Sequence, residues 1–279
     1  MTKDNHIQTL FSLEDKTAIV TGAGGYLGRA FSECLVDAGA KVILFGRGNK
    51  IKELSNAINM KYGDERTDCK LVNFYDEDEY RRCLEDSINN KSIDVLVNNA
   101  FEFSKETGFN DPSGKIENIS KQQWMRSFDS GVYWHALATQ VVGEKMKKQQ
   151  SGSIINISSM YAVVSPDPNL YKGYDIFNPP SYGAAKAALL ALTRYTASFY
   201  GEYNIRCNAI VAGAFPNVGG NSYNSPHDEN FVNNLIDKTA LKRTGSPDDL
   251  KGVLVLLASD ASSYITGQAI VVDGGWTIT

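Results

Sequence analysis

Seven short apolar runs punctuate the chain, TAIVT, KVILF, CKLVNF, DVLVNNA, SIINIS, IRCNAIV and QAIVVDGG, and helix-length amphipathic segments separate them. Within each run apolar residues follow one another instead of alternating with polar ones, the pattern of a strand covered on both faces. Such runs interleaved with helices predict βαβ units, whose crossovers are right-handed almost without exception. The expected architecture is α/β, a doubly wound, seven-stranded parallel sheet with helices on both faces. No Pro/Ser-rich linker, internal repeat or low-complexity stretch marks a boundary, so residues 1–279 are expected to form a single domain. Two stretches break the rhythm with Pro, Gly and Asn, residues 165–180 (SPDPNLYKGYDIFNPP) and 212–230 (AGAFPNVGGNSYNSPHDEN). Loops of that length within one domain tend to carry function.

Charge narrows the partners. With 28 basic against 32 acidic residues the formal charge is -4, and no basic field is available to hold a nucleic-acid backbone or an anionic membrane. The expected partner is a small-molecule substrate. Cys34, Cys69, Cys83 and Cys207 are scattered, with no CxxC pair and no histidine cluster, so reduced thiols are expected rather than disulfides or a metal site. The opening residues MTKDNHIQTLFSLEDK lack the apolar core of a signal peptide, and no later stretch is apolar enough to span a bilayer. A cytoplasmic protein is expected.

The segment TAIVTGAGGYLGRAFSECLVDAGAKVILF reads as strand, glycine-rich turn, helix and second strand. Gly22 can take the tight turn, Gly24 or Gly25 lets backbone approach a pyrophosphate, and Gly28 lets the helix pack closely; the helix N-terminus, with Tyr26 and Leu27, then faces the phosphates. This is the context of a Rossmann dinucleotide site, not of an isolated glycine pattern. An acidic residue at the tip of the second strand would accept hydrogen bonds from the ribose hydroxyls of NAD, but Phe45-Gly46-Arg47 stands there. Arg47 suits the 2′-phosphate of NADP, or else is a solvated surface arginine; NADP is expected over NAD because the acid is missing. Asn73, with Phe74 after it, is placed to meet adenine or to cap a loop. Asn98, Asn99 and Ala100 either close over the adenosine side or form a simple turn.

Tyr182 and Lys186 open a long apolar helical run, YGAAKAALLALTRYTASFY, and four residues apart they share one helix face. A tyrosine with an ordinary pKa near 10 transfers protons poorly at neutral pH, and a neighbouring ammonium favours its phenolate. Lys186 can supply that charge and also hold a nicotinamide ribose. Ser159, at the end of SIINIS, sits where parallel strands present ligands and can polarise a carbonyl or hydroxyl.

Together the TGAGGYLG turn, NNA, the Ser159 strand, YGAAK and the closing GSPDDLKGVLVLLASDASSYITGQAIVVDGGW resemble the short-chain dehydrogenase/reductase family in its compact single-domain form. The resemblance implies hydride transfer between NAD(P) and a carbonyl or alcohol carbon, with Tyr182 as acid/base, Lys186 as its partner and Ser159 orienting substrate. It implies Gly213, Phe215 and Asn217 at the nicotinamide carboxamide and phosphates, and assembly as a homodimer or homotetramer. Three features depart from the family. The glycines are spaced TGxxGxxG with Tyr26 inside the turn, a spacing more usual in the extended, sugar-nucleotide-handling branch. Gly131, seven residues after Trp124, takes the place of the family's relay Asn, leaving its carbonyl for the relay or altering the relay. Ala212-Gly213 replaces a Pro-Gly.

Ser159 and Tyr182 are 23 positions apart, more than the family's usual spacing, and the extra segment carries Tyr171, Lys172, Tyr174 and Asp175. The segment either overhangs a polyhydroxylated substrate, with Lys172 meeting a phosphate or carboxylate, or serves packing and oligomer contacts. SSMYAVVSPDPNLYKGYDIFNPPSYGAAKAA is similar to the corresponding stretch of bacterial flagellin-modification oxidoreductases, which implies a sugar or sugar phosphate. Two alternatives stay open: a catalytically weak NAD(P)-binding sensor or scaffold, suggested by Gly131 and Ala212, and a nucleotide-sugar epimerase or dehydratase, suggested by TGxxGxxG.

Overall fold

The computed structural model describes residues 6–63, 65–89, 91–217 and 229–279. Its strands are β1 (Thr17–Thr21), β2 (Lys41–Gly46), β3 (Thr67–Leu71), β4 (Val95–Asn98), β5 (Gly152–Ser159), β6 (Ile205–Ala212) and β7 (Ala269–Val272). They form one sheet in the order β3-β2-β1-β4-β5-β6-β7, every neighbouring pair parallel. This is the expected doubly wound Rossmann sheet. The chain builds outward from β1 to β3, returns to β4 beside β1, and builds outward again to β7. Where the order reverses, helices leave to opposite faces and the strand ends open a crevice.

The helices are α1 (His6–Phe11), α2 (Tyr26–Asp37), α3 (Lys50–Tyr62), α4 (Glu77–Ile88), α5 (Lys121–Phe128), α6 (Trp134–Gln149), α7 (Pro180–Tyr200), α8 (Glu229–Asp237) and α9 (Lys251–Ala258). Their starts follow from local chemistry. Asp76 caps α4 by accepting from the Glu79 N–H ahead of an acidic first turn, and Ser120 and Gln123 form a capping box on α5. Pro180 sits in the first turn of α7, where a missing N–H costs nothing.

Successive residues of a strand point to opposite faces, and here both faces are filled. On one side Phe31, Leu35, Leu54 and Leu257 from α2, α3 and α9 pack on Val20, Leu44 and Ile155. On the other, Tyr80, Leu137, Met146 and Tyr200 from α4, α6 and α7 pack on Ile19, Ile43, Leu96 and Ile154. The apolar-throughout expectation holds for the five inner strands and fails at the edges. In β3 only Thr67 is buried, and β7 alternates between exposed and half-buried positions, because an edge strand has a neighbour on one side only. β3 also begins two residues before the predicted run and ends at Leu71, leaving Val72 to Phe74 as loop.

A smaller apolar cluster of Met160, Leu170, Phe231, Leu235 and Trp276 ties residues 165–180 to α8 and the last turn of the chain, over the crevice. Of the predicted loop 212–230, Ala212 closes β6, Glu229 and Asn230 begin α8, and residues 218–228 lie outside the described part. All four cysteines are free, and burial pushes the Cys34 thiol up to about 11. No helix among the described residues is long and apolar enough to cross a membrane.

Candidate active site

The crevice holds a cavity of about 610 Å³ that runs from the glycine turn after β1 to Tyr182 on α7. Gly22 adopts φ 67°, and a Cβ there would come within 2.8 Å of the Ala100 Cα. The turn is thus pressed onto the end of β4. Thr21 Oγ1 accepts from the N–H of Asn99 (3.0 Å) and of Ala100 (3.1 Å), while the Asn99 amide donates to the carbonyls of Thr21 (3.0 Å) and Gly22 (3.2 Å). Asn99 therefore locks the turn, and both Asn99 and Ala100 line the cavity. Asn98 turns away, donating to Asn156 Oδ1 (2.9 Å) and Thr139 Oγ1 (3.1 Å) in the interior.

Gly25 caps α2 without a side-chain hydrogen bond, so the first N–H groups of the helix open toward the cavity beside Gly24, Tyr26, Leu27 and Gly28. A helix N-terminus of this kind binds phosphate oxygens. At the outer end Arg47 and Lys50 line the cavity, and Arg47 makes a forked ion pair with Glu102 at 3.2 and 3.4 Å. Arg47 is therefore neither a free cation nor an unattached surface arginine. Asn73 does not line the cavity: it is exposed, and its Oδ1 accepts from the Tyr75 N–H at 3.2 Å, the loop-capping alternative. Phe74 does line it, stacked on Trp134 with centroids 5.0 Å apart.

At the inner end Ser159 closes β5, accepts from the Tyr161 N–H at 3.2 Å and hydrogen-bonds Tyr182. Ser181, beside Tyr182, bonds Ser127 at 2.8 Å and fixes the start of α7. Lys186 lies one turn on, buried, and its Nζ donates to the Ile157 carbonyl at 2.8 Å. Burial dominates both titrations. It raises Tyr182 to about 12 against the opposing hydrogen bond from Ser159, and lowers Lys186 to about 7. The expected depression of Tyr182 by the lysine is not found: loss of water raises the phenol, and only the Ser159 hydrogen bond opposes it. A tyrosine so held keeps its proton at neutral pH, and a base developing against it receives that proton.

Gly131 lies in a π-turn, Asp129–Tyr133, between α5 and α6. A Cβ there would come within 2.9 Å of the Ala185 Cβ and 3.2 Å of the Phe101 ring. The space next to Gly131 is taken by Phe101, whose ring also meets the edge of Tyr182 (5.0 Å between centroids) and lies 5.2 Å from Lys186 Nζ. The glycine and the phenylalanine are one packing solution. Gly213, Phe215 and Asn217 line the cavity, whereas Asn73 and Asn98, also singled out for the cofactor, do not.

The long Ser159–Tyr182 segment contributes less than its sequence promised. Tyr171 lines the cavity, whereas Lys172 is exposed, Tyr174 packs on the Phe231 ring, and Asp175 pairs with Lys115 at 2.6 Å. Sequence reading missed Phe101, Phe103, Phe109, Trp134, Tyr161 and Asn178, all of which line the cavity. Only Tyr161 and Asn178 lie in a stretch already marked as functional; nothing in the local patterns sets the other aromatic residues apart from core.

A nicotinamide dinucleotide fits what these residues offer: a glycine cradle closed to any Cβ, unsatisfied helix N–H groups at mid-groove, cations at one end and a Ser-Tyr-Lys group at the other. The family model described as enoyl-(acyl carrier protein) reductase matches residues 22–277. The chain is 29% identical to the 2-dehydro-3-deoxy-D-gluconate 5-dehydrogenase of Bacillus subtilis, over 97% of this chain and 98% of that protein. It is 31% identical to dehydrogenase/reductase SDR family member 4 of Caenorhabditis elegans, over 94% and 95%. A crystal structure from Beutenbergia cavernae, assigned as an NAD(P) dependent gluconate 5-dehydrogenase and holding NADP at low occupancy, superposes with a TM-score of 0.84 at 29% identity, covering 97% and 100%.

Proposed function

Because the chain belongs to the short-chain dehydrogenase/reductase family, we propose that this NAD(P)-dependent oxidoreductase interconverts a carbonyl and a secondary alcohol on a sugar-like small molecule, with Ser159, Tyr182 and Lys186 as its catalytic residues. The observation that carries the reading is the meeting of Ser159 and Lys186 around Tyr182 at the inner end of a groove that starts at the glycine turn. Bound there, the nicotinamide supplies or accepts the hydride. Ser159 orients the substrate oxygen by hydrogen bonding, and Tyr182 delivers its proton to that oxygen in the reducing direction. Lys186 holds the ribose end and restores the proton of Tyr182, while Phe101 and Phe109 keep water from the phenol. A sugar-like substrate is supported by the B. subtilis relative, a 2-dehydro-3-deoxy-D-gluconate 5-dehydrogenase by name.

NADP is the proposed cofactor in preference to NAD. The end of β2 carries no carboxylate, and Arg47 and Lys50 stand at the rim. Glu102 competes with a 2′-phosphate for the Arg47 guanidinium. Arg47→Ala should weaken NADPH binding by about 10-fold or more, the scale of one charged hydrogen-bond pair, and leave NADH within about twofold. Glu102→Gln should tighten NADPH binding. Nicotinamide fluorescence titration reads both; equal losses for the two cofactors would remove Arg47 from the 2′-phosphate site.

Assembly as a dimer or tetramer is supported by the outer face of α7, where Tyr195 and Phe199 stand 64% and 52% exposed with rings stacked 5.9 Å apart. An apolar aromatic pair on a solvent face is better covered by another copy. Sedimentation equilibrium should give a multiple of the chain mass, with Tyr195→Glu/Phe199→Glu shifting it toward one chain; a monomeric wild type contradicts this.

A further inference from the structure

Beyond Tyr182 the cavity is walled by Phe101, Phe103, Phe109, Tyr161, Tyr171 and Phe231. Asn178, which lines the same cavity and is only 7% exposed, has an Oδ1 with no hydrogen-bond partner among the described residues. A buried amide oxygen left without a donor costs about 1–3 kcal/mol, so such a group in a cavity wall calls for a ligand that donates to it. The cations that line the cavity are committed elsewhere: Arg47 and Lys50 at the opposite end, and Lys186 on the Ile157 carbonyl. Lys172 is exposed and outside the lining, Lys115 is paired with Asp175, and Lys238 is paired with Asp167. A carboxylate or phosphate brought to this end would lose water against aromatic rings without gaining a counter-charge from the described residues, which is strongly unfavourable.

We infer that the substrate is a neutral, hydroxylated carbonyl compound or its alcohol, not a sugar acid or sugar phosphate, and that Asn178 is a specificity-determining residue accepting a hydrogen bond from a substrate hydroxyl. This rests on the reading that Ser159 and Tyr182 mark the reacting carbon. The carbon face of the substrate lies on the rings, where C–H groups meet aromatic faces as sugars do, and the hydroxyl beside the reacting carbon reaches Asn178. The gluconate 5-dehydrogenase-like relatives act on acids by name, so this chain and those proteins part at the substrate end.

The test uses full-length enzyme with NADPH and three ketones: 2-hydroxycyclohexanone, cyclohexanone and 5-keto-D-gluconate. Expected is a kcat/KM for 2-hydroxycyclohexanone about tenfold above cyclohexanone, the value of one hydrogen bond to a buried acceptor, and at least 100-fold above the keto acid. Asn178→Leu should raise KM for 2-hydroxycyclohexanone about tenfold with kcat within threefold, erasing the preference between the two neutral ketones. NADPH titration of the variant verifies its fold. Preference for 5-keto-D-gluconate overturns the inference, and so does a variant that loses both neutral ketones equally while still binding NADPH. If wild type reduces none of the three above the Tyr182→Phe background, the oxidoreductase reading of the site fails, and the inference falls with it.

Discussion

Tyr182→Phe is expected to lower kcat for any accepted carbonyl by about 10³-fold or more while NADPH affinity stays within about twofold, because it removes the acid and little else. The ring contacts of residue 182 with Phe101, Phe103 and Phe109 are made by carbon and survive the change. The hydroxyl alone is lost, and with it the bond to Ser159. Among the described residues no other acid stands ready to replace it. Tyr161 and Tyr171 also reach the cavity, but their hydroxyls are engaged with each other. Steady-state rates with saturating NADPH measure the effect, and turnover within tenfold of wild type would remove Tyr182 from the proton path.

Lys186→Met should have the second-largest effect, and on stability it has a distinctive sign. In the fold the ammonium is held down to about 7 by burial, against 10.5 in the open chain. Between those values the unfolded chain binds the extra proton, so folding opposes protonation and stability rises as pH rises. From pH 7 to 9.5 this one group should add about 3 kcal/mol to the wild type. Met fills the cavity with a similar apolar stem and does not titrate, so the variant should lose that dependence and match or exceed wild-type stability at pH 7. It leaves the Ile157 carbonyl without its donor, which limits the gain. Catalysis should fall about 100-fold or more, since Tyr182 then loses the group that restores its proton. Urea denaturation at the two pH values reads the first effect. Parallel pH slopes for the two proteins would mean that Lys186 keeps an ordinary pKa in the fold.

The features legible from sequence were those that repeat or lie close together in the chain. Inner strands such as Ala18 to Val20 are buried on both faces and announce themselves as unbroken apolar runs. The glycine turn and the Tyr182–Lys186 spacing are local geometry, and both were found at their predicted places. β3 was displaced because an edge strand is held by backbone pairing to β2, not by an apolar run of its own. Asn98 and Asn73 failed for another reason. Both are polar residues at strand ends, where sequence cannot tell an amide facing a cleft from one satisfied inside the protein or by its own loop. Phe101 shows what pair information adds: Gly131 looks like a missing relay residue alone, and like the counterpart of a large ring once the two are seen in contact. Asn178 could be recognised only when its amide oxygen was found buried without a partner.

The measurement that bears most directly on the central claim is titration of the purified protein with NADPH and with NADH, read by energy transfer from tryptophan to nicotinamide. Trp134 lies in the wall of the groove, so a cofactor bound there must quench it. Saturable transfer with one site per chain, tighter for NADPH and abolished by Gly22→Val, is the expected result. Gly22→Val places a branched side chain at φ 67° against Ala100 and closes the cradle. Absence of transfer with either nucleotide, or transfer that Gly22→Val leaves intact, would contradict the assignment of this groove as the cofactor site.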